Sequence, residues 1–389
     1  MIDSPFALLA TLATSVALVF WLERRAGLAP IFRRLPAIFW IYFLPMLATS
    51  LGLLPATSPL YGALSRYLLP ASLVLMLLST DLRAIVRLGP RALGAIAAAA
   101  AGIALGAIVA FLVLGDALGD EAWKGLAALT ATWTGGSANL IAVATSLGLS
   151  PETQGIAILV DTVVGYSWMG ILIALSARQA ALDRRLRAER GEVAAMGARI
   201  EARLARDRRP LLTGDAVTLI AVALATAALG LWLGTLLPPV GDVLTPFAWG
   251  ILIVTSAGIL LSLTPLARLD GAGASGLGYA GFYLLLASVG AQADLHRIFT
   301  QPLWIVAGAI MILVHAAVLL AALRWMRAPS FFLGAASQAS IGGYSSAPVV
   351  AEIFQAGLAP VGLLLAVLGN ILGTYLGLAV AQLLRALGS

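Results

Sequence analysis

Cysteine is absent from the sequence, and histidine occurs only twice, at His296 and His315. Without cysteine the chain forms no disulfide framework and no thiolate metal site. Two separate histidines do not suggest a histidine-rich zinc site either. The chain also lacks a Walker loop, a nucleophile elbow and a metal-ligand pair at helical spacing. We therefore predict that the protein is not an enzyme, does not use ATP directly and holds no organic cofactor.

Charged residues are also scarce, since they make up 11% of the 389 residues, whereas 61% are hydrophobic. Soluble domains carry about 25% charged residues, so this composition does not suit a surface in water. The mean hydropathy of +0.99 instead indicates a chain surrounded by lipid. The apolar runs are long and continuous, whereas the strands of a β-barrel alternate over about ten residues. The sequence thus predicts an all-α polytopic membrane protein, whose helices pair their own backbone groups in the bilayer.

The sequence contains twelve apolar segments that are about as long as the roughly 20 residues needed to cross a bilayer. The segments are residues 5–22, 36–54, 59–79, 91–115, 121–148, 152–177, 214–236, 244–263, 275–292, 303–325, 330–357 and 360–387. No basic region precedes the first segment, and Arg24 and Arg25 follow it. We therefore expect a retained first helix and not a cleaved signal peptide.

One long polar stretch separates the sixth segment from the seventh. Between Arg178 and Arg209 the chain carries ten arginines and five acidic residues, with apolar residues at helical spacing among them. We predict a charged cytoplasmic linker helix over residues 179–213, which joins residues 1–178 to residues 214–389. The alternatives are a merely solvated linker, a dimer contact or a helix on the membrane surface.

The two halves of the chain repeat one another. The sequence STDLRAIVRLGP at 79–90 corresponds to QADLHRIFTQP at 292–302. The sequence TWTGGSANLIAVATSLGLSP at 132–151 corresponds to ASIGGYSSAPVVAEIFQAGLAP at 339–360. Internal repeats of this size in a membrane protein are typical of secondary transporters.

The distribution of arginines predicts the orientation. Arginines in the loops 24–34 and 83–91, and in the linker, place all three on the cytoplasmic side. If segment 121–148 crossed the bilayer, the linker would lie outside, so we predict that this segment and its counterpart 330–357 are re-entrant hairpins. Each half then has five crossings plus one hairpin, and the odd number inverts the second half relative to the first. The N-terminus is predicted to be periplasmic in a bacterial inner membrane, and charge so placed gives no reason to expect a nucleic-acid partner.

Each predicted hairpin has a small polar centre between two apolar arms. The predicted substrate-binding residues are Thr134, Gly135, Gly136, Ser137 and Asn139 in the first hairpin, and Gly342, Gly343, Tyr344, Ser345 and Ser346 in the second. Paired glycines permit backbone angles that break a helix. The freed backbone groups are tolerated at membrane depth only where they line a cavity or bind a ligand. The alternative is that the glycines serve only close helix packing.

An acidic residue, Asp161, lies ten residues into the apolar helix that follows the first hairpin, and Asn370 holds the corresponding place in the second half. An ionisable group at such a depth is costly and suggests a function. Because oxygen ligands suit Na⁺, we predict a possible sodium site at Asn139, Asp161, Ser345 and Asn370. Asp161 could instead carry a coupling proton, or accept a hydrogen bond that only fixes packing.

At TWTGGSANLIAVATSLG and ASIGGYSSAPVVAEIF the chain resembles the YjcL-like family of bacterial membrane proteins, a family of unknown function. More distantly, the paired Gly-Gly hairpins resemble those of the sodium–glutamate and 2-hydroxycarboxylate symporters. That resemblance implies a homodimer with scaffold and transport domains that works by an elevator motion. Those symporters hold substrate carboxylates with a basic residue, and neither hairpin here contains an arginine.

We therefore expect an ion-coupled secondary transporter, driven by Na⁺ or H⁺, for a small organic solute such as an amino acid, a small peptide or a carboxylate. Expected partners are the solute, the lipid bilayer and a second copy of the chain. The alternatives are an uncoupled channel or facilitator, and a membrane-embedded sensor with the linker as its signalling arm.

Overall fold

The fold is helical throughout the part of the chain that the structure, a computed structural model, describes. That part comprises residues 4–35, 37–78, 80, 82–188, 210–293 and 301–388. The helices of the first half are α1 (Pro5–Glu23), α2 (Ala29–Arg34), α3 (Ala37–Ser50), α4 (Pro59–Ala63), α5 (Leu69–Leu78), α6 (Leu82–Val86), α7 (Gly89–Leu118), α8 (Ala122–Gly135), α9 (Ser137–Ser146), α10 (Pro151–Ser176) and α11 (Gln179–Leu186). Those of the second half are α12 (Thr213–Thr235), α13 (Pro246–Leu261), α14 (Ala274–Gly290), α15 (Leu303–Trp325), α16 (Phe331–Ile341), α17 (Gly343–Phe354) and α18 (Ala359–Leu387). No β-strand occurs within these ranges.

Seven helices in the described ranges are long and apolar enough to cross a membrane. They are α1, the continuous run Pro59–Leu78 formed by α4 and α5 through a π-helical turn, α7, α10, α12, α15 and α18. This is the architecture of a multi-pass membrane protein. The remaining three of the ten predicted crossings correspond to shorter helices, α3, α13 and α14, of 14, 16 and 17 residues. The ten-crossing topology therefore stays a prediction.

The predicted linker helix falls only partly within the described ranges. Helix α11 forms at its start, and α12 begins at Thr213, where the linker was predicted to end. Residues 189–209 lie outside the described residues.

Local sequence signals explain where the long helices begin and end. Helix α10 starts at a Ser-Pro pair, where the Ser150 hydroxyl accepts a hydrogen bond from the Thr153 N–H and Pro151 occupies the first turn. Helix α7 ends at Gly119, whose φ of +88° suits glycine best.

Helices α7 and α15 pack closely on one another, because small residues let their backbones approach. A Cβ built on Gly102 would lie 2.8 Å from the Cα of His315, and one built on Gly106 would lie 2.6 Å from the carbonyl oxygen of Met311. Such small-residue contacts replace the hydrophobic effect as the source of helix association in lipid.

Helices α8 and α9 form a hairpin, hairpin 1, whose two ends lie together. The Glu121 carboxylate, just before α8, accepts hydrogen bonds from the Ser150 N–H at 3.2 Å and from the Thr153 hydroxyl at 2.7 Å. The Lys124 ammonium donates to the Gly148 carbonyl at 3.3 Å. A continuous helix over the same residues would separate its ends by about 40 Å, so the chain reverses direction between them.

Helices α16 and α17 form a second hairpin, hairpin 2, because the start of α16 and the end of α17 also lie together. The ring of Phe354, at the end of α17, lies directly on the α-carbon of Gly334 in the first turn of α16. At the hairpin's base, the Glu352 carboxylate accepts hydrogen bonds from the Gly357 N–H at 2.9 Å and the Ala359 N–H at 3.3 Å, and so caps the start of α18.

The bases of the two hairpins lie at opposite ends of the molecule. Helix α10 begins beside the base of hairpin 1, and its 26 residues rise about 39 Å. Helix α11 follows, and its Asp183 carboxylate accepts hydrogen bonds from the Ser330 N–H at 2.8 Å and the Ser330 hydroxyl at 2.6 Å, at the base of hairpin 2. Helix α18 runs the reverse way, and Arg385 near its end lies 5.5 Å from the ring of Trp123 in hairpin 1. The hairpins therefore point toward one another.

The Glu121 contacts yield a prediction about the closure of hairpin 1. Burial tends to raise the pKa of the Glu121 carboxyl, but hydrogen bonds from Ser150 and Thr153 and the nearby Lys124 outweigh it and leave the pKa below its ordinary 4.5. A lowered pKa means that the ionised carboxylate stabilises the fold above pH 4.5, and that this stabilisation is lost as the pH falls through the lowered value. We expect Glu121→Gln to lower the melting temperature in detergent at pH 7, and the difference from wild type to shrink as the pH falls below 4.5.

The matched control is Glu152→Gln, in the first turn of α10, which removes a charge near the same helix terminus but no hydrogen bond at the hairpin base. Equal effects of the two substitutions on the melting temperature would show that only the helix dipole, and not closure of hairpin 1, is involved.

Candidate functional site

Hairpin 1 turns at the second glycine of its Gly-Gly pair. Helix α8 ends at Gly135, and Gly136 adopts φ 87° and ψ 171°, a conformation open to glycine and strained for other residues. Helix α9 then begins at Ser137. The first position also requires glycine, because a Cβ on Gly135 would collide with the Asn139 side chain.

Hairpin 2 turns at its own Gly-Gly pair. Helix α16 ends at Ile341, and Gly343 adopts a φ of +58° at the start of α17. Pro348 lies within α17 and lacks the N–H that would bond to the carbonyl of Tyr344. The turn of α17 nearest the tip therefore carries a carbonyl without its usual helical partner.

The two tips touch. A Cβ built on Gly343 would lie 3.9 Å from the Cα of Gly136. Both breaks thus lie against one another in the interior, between the two hairpin bases. Gly136, Ser137, Gly342 and Tyr344 are partly accessible at this junction, whereas the residues behind them are buried.

Helix α18 packs against the tip of hairpin 1 through glycines. Gly369 contacts the Thr134 carbonyl oxygen, and a Cβ built there would also lie 3.7 Å from the carbonyl oxygen of Ala339 in hairpin 2. A Cβ on Gly373 would lie 2.9 Å from the Cα of Gly135. Any larger residue at either position would separate α18 from the tips.

Asn139 joins hairpin 1 to α18 by hydrogen bonds. Its amide nitrogen donates to the Gly135 carbonyl at 2.7 Å and to the Asn370 side-chain oxygen at 2.8 Å. Its side-chain oxygen accepts from the Thr374 hydroxyl. All three side chains are at most 3% exposed. Two members of the predicted sodium set, Asn139 and Asn370, therefore contact each other directly.

Asp161 lies elsewhere at the junction. Its carboxylate accepts a hydrogen bond from the indole N–H of Trp133 at 2.8 Å. It makes no ion pair with any residue in the described ranges. A Cβ built on Gly165, one turn further along α10, would lie 3.9 Å from the carboxylate and 3.4 Å from Ile341 in hairpin 2. Asp161 thus faces the place where both hairpins approach α10, as a carboxylate without a cationic partner.

Of the remaining predicted residues, Tyr344 and Ser346 both lie in the first turn of α17, next to the tip of hairpin 2. The Tyr344 ring lies edge-on to Tyr279 of α14, with centroids 6.2 Å apart. The Ser346 hydroxyl accepts from the Gln338 amide at 2.7 Å, within hairpin 2 itself. The side chain of Ser345 lies outside the described part of the chain.

Unpaired buried oxygens occur next to both breaks. Within the part of the chain that the structure describes, the Thr134 hydroxyl, the Ser340 hydroxyl and the Gln338 side-chain oxygen have no hydrogen-bond partner. The three residues are 1%, 0% and 2% exposed. A buried polar atom without a partner costs about 1–3 kcal/mol, so such a cluster suggests a site for a ligand.

His315 belongs to a separate and fully paired network. Its Nδ1 lies 2.9 Å from the Ala99 carbonyl, which can only accept, so Nδ1 carries a proton. The indole N–H of Trp168 donates to the Ser337 hydroxyl, which lies 2.8 Å from His315 Nε2. With a neutral ring, Ser337 donates to Nε2 and every group is paired. The geometry is that of a packing histidine.

The helix termini around the junction set its electrostatics. The first arms, α8 and α16, point C-terminal ends with partial negative charge toward it. The second arms, α9 and α17, point N-terminal ends with free N–H groups and partial positive charge. The junction therefore offers oxygens to a cation and N–H groups to an anionic or polar group.

Comparison with known protein families assigns the sequence to a family. A family model described as "Protein of unknown function (DUF819)" matches residues 10–387. The chain belongs to this family. No curated protein matches the sequence. The family covers nearly the whole chain, both hairpins included, and its description names no activity.

Sequence reasoning missed several residues that build the junction. Trp133 and Thr374 hold Asp161 and Asn139, and no pattern in the sequence marks them as partners. The glycines 369, 373 and 377 do carry a signal, since small residues at every fourth position indicate a helix-packing face.

The Asn139 contacts predict a measurable cost for their removal. We expect Asn139→Ala to destabilise the protein by about 1–3 kcal/mol, because it leaves the Asn370 amide and the Thr374 hydroxyl buried without their partner. Denaturant unfolding in detergent measures the effect. A double-mutant cycle with Thr374→Val should give a coupling of about 0.5–2 kcal/mol.

Ser146→Ala is the control, since the buried Ser146 hydroxyl of α9 donates to the Ala142 carbonyl of its own helix and to no other described residue. A loss for Asn139→Ala no larger than for this control, or a zero coupling, would contradict a clamp between hairpin 1 and α18.

Proposed function

We propose that the protein is a secondary transporter of a small organic solute, which binds where the tips of hairpin 1 and hairpin 2 meet. The observation that carries this proposal is the contact between Gly136 and Gly343. Two helix breaks are costly inside a bilayer unless they line a site. Here they face one another, with free helix ends, buried oxygens and a lone carboxylate around them.

The opposed hairpins also support an inverted repeat, in which each half contributes five crossings and one re-entrant hairpin. In such folds the substrate lies near the membrane midplane, at the interface of the repeats. Helix α10 after hairpin 1 and helix α18 after hairpin 2 run in opposite directions past the two tips, as an inverted repeat requires.

The charges at the junction limit the class of solute. Apart from Lys124 at the base of hairpin 1, no lysine or arginine occurs in either hairpin, in α10, or in α18 before Arg385. An anion would therefore depend on helix N-termini alone. The lone Asp161 favours a solute with an amino group, such as an amino acid or a small peptide, over a simple carboxylate.

We further propose alternating access by an elevator motion of a homodimer. The transport domain would comprise α7–α10 and α15–α18, which surround the junction. The scaffold and dimer contact would comprise α1, α3–α5 and α12–α14. The coupling ion in this scheme is Na⁺ or H⁺, and its role is to neutralise the junction during the motion.

The decisive experiment is a thermal-shift screen of the purified full chain with amino acids, small peptides, carboxylates and nucleosides, followed by uptake of any stabilising solute into proteoliposomes. We expect Asp161→Asn to weaken binding of an amino solute at least about tenfold, because it removes the carboxylate that faces both hairpins.

Glu352→Gln is the control, since Glu352 acts at the base of hairpin 2. No solute uptake by the wild type would sink the proposal. Uptake indifferent to Na⁺ and H⁺ gradients would indicate an uncoupled facilitator. A sensor would bind the solute without transporting it, and deletion of residues 189–209 would abolish its signalling but not solute binding. This deletion leaves Asp183 in place, whose carboxylate accepts a hydrogen bond at the base of hairpin 2.

The topology gives a separate prediction. The chain has no cysteine, so a single introduced cysteine reports one position. A re-entrant hairpin 1 places Gly148→Cys on the periplasmic side and Arg185→Cys, in α11, on the cytoplasmic side. Labelling of intact cells with a membrane-impermeant maleimide should modify only the first, and equal labelling of both would rule out the proposed topology.

A further inference from the structure

The last turns of α8 and α16 converge on one point of α18. The carbonyl oxygen of Thr134 contacts Gly369, and the carbonyl oxygen of Ala339 lies 3.7 Å from a Cβ built on the same glycine. Both carbonyls belong to the last turn of an arm, where helical hydrogen bonds run out. Two negative helix ends therefore meet at Gly369, which leaves room for them because it has no side chain.

Unsatisfied side-chain oxygens occupy the same two turns. The hydroxyls of Thr134 and Ser340 are buried, at 1% and 0% exposure, and neither has a hydrogen-bond partner among the described residues. A helical hydroxyl usually donates back to the carbonyl one turn earlier. Thr130, one turn before Thr134, does so with the Leu126 carbonyl at 2.9 Å. The hydroxyls of Thr134 and Ser340 do not donate to the carbonyl one turn earlier.

The donor set decides the class of ligand. Every group here is a neutral oxygen, and the described residues contain no cluster of three acidic or histidine side chains that could hold a metal ion. Divalent cations in proteins are bound mainly through carboxylates. Neutral hydroxyl and carbonyl oxygens at two negative helix ends suit a monovalent, dehydrated cation.

We propose that an alkali-metal cation binds where α8 and α16 converge on Gly369, held by the hydroxyl oxygens of Thr134 and Ser340 and by the main-chain carbonyls of Thr134 and Ala339. The Asn370 amide oxygen, on the next residue of α18, already accepts a hydrogen bond from Asn139 and adjoins this site. This inference rests on the proposed function, since the cation would be the coupling ion of the transporter. It moves the cation away from Asp161, which stays free for the solute.

A cation shared by both hairpins would couple their positions. Hairpin 1 contributes Thr134, hairpin 2 contributes Ala339 and Ser340, and α18 contributes Gly369, which lets both carbonyls come close to its backbone. Loss of the cation would leave the converging carbonyls of Thr134 and Ala339 and two buried hydroxyls without a ligand. The bound state therefore favours closed tips, and the empty state favours their separation.

Thermal unfolding of the purified full chain in NaCl, KCl and choline chloride at equal ionic strength tests the site. We expect Na⁺ or K⁺ to raise the melting temperature above that in choline, and the preference between them to identify the ion. Thr134→Val and Ser340→Ala should each raise the half-saturating concentration of that ion at least about tenfold.

Thr130→Val is the matched control on the same helix and should leave the ion response within about twofold of wild type. In choline, Thr134→Val should be no less stable than wild type, because replacement of an unpaired buried hydroxyl by a methyl group removes a cost. A stability in choline that is equal to or above that of wild type indicates that Thr134 is an ion ligand, whereas a loss of stability indicates a structural role.

Identical melting temperatures in the three salts would overturn the cation site, and so would wild-type ion responses in both Thr134→Val and Ser340→Ala. Solute stabilisation and uptake without any alkali-ion effect would overturn the cation site but leave the transporter, driven by protons. An intact alkali-ion response without any bound solute would uphold the site and count against the transporter.

Discussion

Backbone groups that lose their helical partners in a bilayer must find new ones, and this constraint governs the centre of the molecule. Two helices are broken, at Gly136 and at Gly342–Gly343, far from the hairpin bases. Each break alone would expose free N–H and carbonyl groups to hydrocarbon, at several kcal/mol per group. Set against each other and against α18, the breaks enclose these groups. Helix α18 contributes to this enclosure, since its Gly369 lies against the Thr134 and Ala339 carbonyls.

The two halves meet this constraint in different ways. In α18 the glycines 369, 373 and 377 form the face that packs on hairpin 1. The corresponding positions of α10, counted from the proline that opens each helix, are Val160, Val164 and Trp168. The two valines pack on Gly308 of α15 instead. Helix α18 therefore approaches hairpin 1 more closely than α10 can approach hairpin 2.

The polar contacts of the hairpins show the same difference. Hairpin 1 is fastened to α18 through Asn139, Asn370 and Thr374. In hairpin 2, Ser346 is bonded to Gln338 of the same hairpin. Hairpin 1 is thus joined to α18 by an amide and hydroxyl cluster, whereas hairpin 2 also packs its backbone on α18, where a Cβ built on Gly362 would lie 2.5 Å from the Ala347 carbonyl oxygen. A repeat in sequence has become an asymmetric pair in structure.

Much of the helical plan could be predicted from composition and length, because apolar runs in lipid have few alternatives to helices. The two breaks could be located because adjacent glycines at matching places in a repeat are rare without a structural need. The partners of the site residues could not be predicted. Whether Asn139 meets Asn370 or Asp161 depends on the rotation of each helix about its axis, which close packing sets and which hydropathy does not report. Asp161 and Asn370, matched in sequence, accordingly have unlike partners, an indole and an amide.

Charge balance links the site to ion coupling. Asp161 has no cationic partner in the described ranges, and no lysine or arginine lies on the neighbouring apolar faces of α10, α16, α17 or α18. An ionised carboxylate carried through the bilayer costs several kcal/mol unless it is neutralised. In the proposed transporter, a solute ammonium or a proton on Asp161 removes that cost, and a cation at the convergent helix ends compensates their partial negative charge. The fully loaded junction then moves more easily than a junction that holds only the ion or only the solute, which is the energetic condition for coupled transport.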